Sequence, residues 1–309
     1  MNYSDIMKKP KQFISLTSLE AQEFELLLKS FQPRWERYYR SHTLEGDYRK
    51  HPAIKEHGNA VLRGTEQKLF FLLVYLKTNS LQEHQAASFG VSQSKVSRIA
   101  RTLLSILEQV LKDMKLTPWR DGETLHKQLA GHKDKVFSYD GTDRDIGRNV
   151  DQDAQEVDFS GKNHGHKVKN LLLSDDEQYV HYLSPTFPGS SHDKAIANEF
   201  PITLPQNSVL RQDSGFIGHA PEGVLIEQPF KKPRNGELTF AQKLFNKMLA
   251  ALRVVIEHAN SGVKRVKIVK DKIRIHSTEI RDSVMVVACG LHNLRVKNPN
   301  RGYASCVHA

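Results

Sequence analysis

Cysteine is nearly missing from this chain: Cys289 and Cys306 are the two among 309 residues. Two thiols make neither a disulfide framework nor a zinc site of their own, and they fit a reducing compartment, cytoplasmic and nucleoid-associated. Long apolar runs are missing as well. The longest, Leu69 to Leu76, falls far short of the ~20 residues a membrane helix needs, so no membrane partner is expected. The opening stretch, Met1 to Phe13, is polar and has no apolar segment ahead of a cleavage site, so no signal peptide is expected. Internal repeats and low-complexity segments are absent, and no proline occurs between Thr65 and Leu111. At 39% hydrophobic and 26% charged residues the chain reads as a soluble globular protein, which excludes disorder as its main state. The length allows one large or two modest domains.

Acids are the scarcer charge. Asp and Glu number 35 against 45 Lys and Arg, a formal net charge of +10. A surplus of that size suits a polyanionic partner, nucleic acid first. Its placement is uneven: from Lys231 to Arg274 twelve Lys and Arg stand against Glu237, Glu257 and Asp271, a local +9.

Leu19, Phe24 and Leu26 to Leu28 suggest helix in the first 60 residues, followed by the basic aromatic stretch Pro33 to Arg40. Thr65 to Leu111 is strongly helical, with Thr65 offered as its N-cap. Inside it, Leu81 to Ile99 contains a short helix ending at Phe89-Gly90, a glycine able to take a left-handed turn, and Ser92 as the cap of the next helix. Val91, Val96 and Ile99 would face inward, leaving Gln93, Ser94, Lys95, Ser97 and Arg98 outward. That is the layout of a helix-turn-helix, whose second helix presents small polar and basic side chains to the major groove.

Pro118 to Lys135 reads as a charged linker. Beyond it short strands are expected at Val136–Tyr139, His166–Leu173, Tyr179–Leu183, Ser208–Arg211 and Gly223–Ile226. A short helix is expected at His192–Asn198, a long one at Thr239–His258 and a last one from Ser283 to about Leu294. This order indicates a mixed α/β domain. On the long helix Ala241, Leu244, Met248, Leu252 and Val255 share one stripe, taken as the core face, while Glu257 points away from it beside Asn246, Ala250 and Arg253.

Three acids stand out by position. Asp140 closes the first strand, Asp213 closes a later one before Ser214-Gly215, and Glu257 lies on the long helix. Singly, each has an ordinary explanation in turn chemistry or a helix ion pair. Together they could hold paired divalent cations, which take oxygen ligands and keep positions open for phosphate. Two such ions about 3.5–4 Å apart serve phosphodiester chemistry. Asp193 is the rival for the second acid, although a role at the start of its helix suits it better. His164, His166 and His258 could suggest a transition-metal site, but Lys162, Lys167 and Lys169 interleave there, and DNA-facing strand residues are expected instead.

Tyr139–Arg144, Phe159–Asn170, Ser184–Lys194, Asp213–Gly218 and Arg253–His258, in that order, resemble insertion-sequence DDE transposases of the branch related to the Harbinger-type nuclease superfamily. The resemblance runs from about Thr65 to Arg295. It implies an RNase H-like α/β core, a mixed central sheet flanked by helices, preceded by an all-α helix-turn-helix domain. It implies Asp140, Asp213 and Glu257 as catalytic and metal-binding residues for two Mg²⁺ (or Mn²⁺) ions. Related proteins carry a Tyr-x₂-Arg-x₃-Glu-x₆-Lys signature; Arg253, Glu257 and Lys264 match it, Ala250 departs from it, and Arg253 and Lys264 become DNA contacts. The implied partner is double-stranded DNA, both element ends and target, held by a homodimer or higher oligomer. The implied division is 1–60, a helical region without assigned role; 61–117, helix-turn-helix; 118–135, linker; 136–295, catalytic domain; 296–309, tail.

Overall fold

The structure, a computed structural model, describes residues 1–131, 135–161 and 164–301. Lys162, an expected DNA contact, lies outside the described residues, as does Cys306. In chain order the helices are α1 (Tyr3–Met7), α2 (Pro10–Thr17), α3 (Ala21–Ser41), α4 (Thr65–Thr78), α5 (Gln82–Phe89), α6 (Gln93–Asp113) and α7 (Gly122–Leu129), then α8 (Gln152–Asp158), α9 (Asp193–Glu199), α10 (Phe240–Val263) and α11 (Thr278–Val296). The strands are β1 (Val136–Asp145), β2 (Phe159–Ser160), β3 (Gly165–Asp175), β4 (Val180–Leu183), β5 (Phe187–Pro188), β6 (Val209–Gln212) and β7 (Leu225–Glu227). No helix among the described residues is long and apolar enough to cross a membrane.

The chain forms two compact units. One comprises Met1–Thr117, Lys264–Asp271 and Ile275–Asn298; the other comprises Pro118–Val263 and Lys272–Arg274, with the chain from Pro299. In the helical unit, α6 buries Val96, Ile99, Ala100, Leu103, Leu107 and Val110, a three-and-four spacing that turns one stripe inward. Each such Leu or Ile contributes roughly 1.5–3 kcal/mol on leaving water. Helix α4 buries every residue from Lys68 to Val74. Thr65 is its first helical residue rather than its cap; the N-cap is Gly64, with no side-chain cap bond.

Helix α11 is buried continuously from Val284 to Arg295. A helix apolar nearly all round must be covered on every side, and α11 takes much of that cover from α6. Its Gly290 approaches Leu111 of α6 so closely that a Cβ would stand 3.0 Å from Leu111 Cδ1. Asn293 Nδ2 donates to the Leu116 carbonyl at 2.9 Å. The last helix therefore packs within the helical unit.

In the second unit the main ladder runs β4-β3-β1-β6-β7, with β2 and β5 also paired to β3. β3 is antiparallel to β1 and to β4, and β6 is parallel to β1 and to β7. That mixed order is the RNase H-like sheet the resemblance implied. Phe137 and Tyr139 alternate onto one face with Leu171, Leu173, Tyr182, Leu210 and Phe216, and Leu125 and Leu129 of α7 complete that cluster. The expected linker thus contains a helix. Asp121 caps it by accepting from Thr124 N at 2.7 Å, and its apolar residues four apart give it a stripe to bury.

The other face of the sheet is covered by α10, which packs on β1. Here the expected core stripe is corrected. Leu249, Ile256, Ala259 and Val263 are buried, while Leu244, Met248 and Leu252 are exposed. The long helix carries two apolar stripes, and the one meeting the sheet is the one that keeps Arg253 and Asn260 beside it.

Candidate active site and DNA-reading helix

Parallel pairing of β1 with β6 ends at Tyr139 opposite Gln212. Asp140 and Asp213 are the next residue on each strand, side by side on neighbouring strands that lie about 4.8 Å apart. Asp140 is not the last residue of its strand. β1 continues to Asp145 against β3, so Asp140 sits on rigid backbone where only one edge has been released. The Asp213 carboxylate accepts from Gly215 N at 2.7 Å and caps a short 3₁₀ turn, Ser214–Phe216.

Alternation along β1 turns Asp140 away from Tyr139 and toward α10. Asn260 Nδ2 donates to Asp140 Oδ2 at 3.1 Å, and the Arg253 guanidinium stands 3.6 Å from Oδ1. Burial pushes the Asp140 pKa up to about 6; the charges of Asp213 and Asp193 add to the rise and Arg253 opposes it. A carboxylate held this way lacks positive charge. Asn260 Oδ1, buried with no hydrogen-bond partner, adds an uncommitted oxygen beside it. Two neighbouring carboxylates and an orphaned amide oxygen are the donor chemistry of a hard divalent cation.

Glu257 lies four residues after Arg253 and three before Asn260. At 3.6 residues per turn it shares their side of α10, within one helical turn of both residues that touch Asp140. Its side chain is exposed. The described residues contain no preassembled group of three or more His, Cys, Asp or Glu, consistent with Glu257 standing outside the Asp140–Asp213 pair.

Asp193, the first residue of α9, lies between the two strand ends. A Cβ on Gly141 would stand 2.8 Å from Asp193 Oδ1, and one on Gly215 would stand 2.9 Å from its Oδ2. A side chain at either position would push the carboxylate from that space. Asp193 is already paired with Lys169 Nζ at 2.9 Å, and that ammonium also donates to the Ser191 carbonyl at 3.0 Å. Lys167 pairs with Asp145. Both lysines, expected to face DNA, are largely buried in these ion pairs. Periodicity could have flagged Asn260, which repeats Arg253 after seven residues; nothing local announces the Lys169–Asp193 pair.

In the helical unit α5 ends at Gly90, whose φ of 67° and ψ of 35° are left-handed, and α6 begins after Ser92. Gln93, Ser94, Lys95 and Arg98 are exposed, Ser97 is half-buried, and Val96 and Ile99 are buried. Lys264 is half-buried and begins the segment that groups with the helical unit.

The chain matches two family models: residues 139–293 match the DDE superfamily endonuclease, and residues 61–113 match the helix-turn-helix of DDE superfamily endonuclease. It is 24% identical over 209 residues to a probable transposase for insertion sequence element IS702 from Microchaete diplosiphon, an alignment covering 68% of this chain and 73% of that protein. No solved structure matches it.

Proposed function

The chain belongs to the DDE superfamily endonucleases, and from that premise we propose that it is a transposase, near the Harbinger-type branch, that cuts and joins the ends of a mobile DNA element. The observation that carries this reading is the convergence of Asp140 and Asp213 where the parallel pairing of β1 and β6 ends, under the α10 turn that bears Arg253, Glu257 and Asn260. Asp140, Asp213 and Glu257 would hold two Mg²⁺ or Mn²⁺ ions, which when bound supply Lewis-acid activation of the attacking oxygen and charge neutralisation at the leaving oxygen.

The chain's own residues do the rest. Arg253 keeps Asp140 ionised against its burial, and Asn260 fixes the orientation of the same carboxylate. The Lys231–Arg274 segment, with Arg253 and Lys264, supplies positive charge for the phosphate backbone, which positions DNA without reading it. Base edges are read by Gln93, Ser94, Lys95, Ser97 and Arg98 at the start of α6. A water oxygen attacks the phosphorus at the element end and the 3′ oxygen leaves as a hydroxyl. That hydroxyl then attacks a target phosphodiester in a second in-line displacement. Two ends joined together require two active sites, hence a dimer or higher oligomer.

Joining distinguishes this reading from simple hydrolysis. A duplex carrying the inverted repeat that flanks the gene, incubated with supercoiled plasmid and Mg²⁺, is expected to yield plasmid covalently joined to the labelled strand. Nicked duplex without joined plasmid would make the protein a nuclease of the same fold. Tight binding with neither product would make it a DNA-binding regulator.

A further inference from the structure

Residues 42 to 50 precede the matched helix-turn-helix region, and they touch the helix proposed to read DNA. The segment is a built turn. Thr43 N donates to the Asp47 carbonyl at 2.7 Å, Gly46 N to the Thr43 carbonyl at 3.2 Å, and Asp47 N to Thr43 Oγ1 at 3.1 Å. Gly46 has a φ of 97°, and a Cβ there would stand 3.0 Å from Thr102 Oγ1 on α6. Only a residue without a side chain lets this backbone take a left-handed φ and lie so close to the helix. The two acids flanking Gly46 are thereby set against α6. Glu45 Oε1 lies 3.4 Å from Lys95 Nζ, and Asp47 pairs closely with the Arg98 guanidinium. Lys95 and Arg98, one helical turn apart, are the two cations among the expected base-reading residues, and both side chains remain about half exposed.

We propose that Glu45 and Asp47 are specificity-determining residues for DNA recognition by α6. This rests on the reading that α6 contacts DNA. Two physical effects point the same way. Neutralising Lys95 and Arg98 weakens the sequence-independent attraction to phosphate, which grows with every cation free to displace counterions. Pairing also restricts the rotamers of two long side chains, so that the donors Arg98 retains are offered to a base edge from a fixed position instead of sweeping across phosphates. Discrimination depends on the difference between correct and incorrect duplexes, and both effects enlarge it.

The test compares wild type with Glu45→Gln/Asp47→Asn, a nearly isosteric pair of changes. The probes are a duplex enriched by the wild type from a randomised pool and an unrelated duplex of equal length. The variant is expected to bind the unrelated duplex several-fold more tightly, with the slope of log affinity against log salt steeper by up to about 2, since each released cation adds about 0.9. The ratio of the two affinities is expected to fall about tenfold. Asp47→Glu, which keeps the charge, should hold the wild-type salt slope. An unchanged ratio and slope would overturn the proposal, as would weaker binding to both duplexes by a variant with the wild-type circular dichroism spectrum. Arg98→Ala separates the two levels of the argument. Wild-type affinity for the enriched duplex in that variant would remove the α6 reading itself. A loss there, with no response to Glu45→Gln/Asp47→Asn, would remove only this inference.

Discussion

Asp140→Asn is expected to lower metal-dependent cleavage by about a thousandfold or more, the scale of several kcal/mol of transition-state stabilisation, while making the metal-free protein more stable at neutral pH. The two effects have one cause. Asp140 is 19% exposed, and its pKa is pushed up to about 6 by burial and by the charges of Asp213 and Asp193. A carboxyl whose pKa is higher folded than unfolded favours the native state while protonated. That contribution is fully present below the unfolded value near 4 and disappears as pH climbs through 6. About two units correspond to roughly 3 kcal/mol of native-state cost for the ionised form at pH 7.5. Asparagine removes the charge and retains the shape, so it should recover up to that amount, less what Arg253 contributes to the ionised form. Urea unfolding in EDTA at pH 7.5 and pH 4 checks this: the advantage of the variant should be present at the first pH and gone at the second. Duplex affinity in EDTA should not change. A variant less stable than wild type at pH 7.5 would contradict the electrostatic account of the site.

Lys169→Met is expected to destabilise the second unit by about 3 kcal/mol. Lys169 and Asp193 are 13% and 15% exposed, paired at 2.9 Å, and removing one partner of such a pair leaves the other charge buried and uncompensated. The Asp193 carboxylate lies beside Gly141 and Gly215 and is itself mostly buried, so it has little water to turn toward once the ammonium is gone. Adding Asp193→Asn to Lys169→Met should therefore return most of the lost stability. Denaturant unfolding of the four proteins forms the cycle that measures it. Additive losses, with the double variant the least stable, would show that the pair is not the reason these residues sit where they do. The same geometry separates the two candidates for the second acid: Asp193 is paired with an ammonium, whereas Asp213 gives one oxygen to the turn amide of Gly215.

Much of the arrangement was legible in the residues. The helix-turn-helix follows from Gly90 and Ser92 standing between two helical stripes, and both are where the left-handed turn and the helix start occur. The strand positions of Asp140 and Asp213 follow from short alternating runs leading into Asp-Gly and Asp-Ser-Gly, and the structure pairs those runs in register, although β1 continues past Asp140 to Asp145. What was not legible is long-range. Helical periodicity reveals an apolar stripe but not which stripe meets a sheet. The pattern of Leu244, Met248 and Leu252 reads as core although Leu249, Ile256 and Ala259 form it. Leu125 and Leu129 lie in a charged stretch whose local composition reads as a connector, and only the sheet cluster they complete gives them a partner. Lys169 beside Asp193, and Glu45 beside Lys95, join residues 24 and 50 positions apart. No local signal distinguishes such lysines from solvated or DNA-facing ones.

The most direct test of the central claim is cleavage of a labelled element-end duplex with Mg²⁺, with and without EDTA, by wild type and Glu257→Gln. Glu257 is exposed and shares the side of α10 whose Arg253 and Asn260 touch Asp140, so its loss should leave the fold and DNA affinity intact. Nicking at the element end that requires Mg²⁺, stops in EDTA and is lost in Glu257→Gln is the predicted result. Nicking of equal rate in both proteins would contradict the assignment of Glu257 beside Asp140 and Asp213.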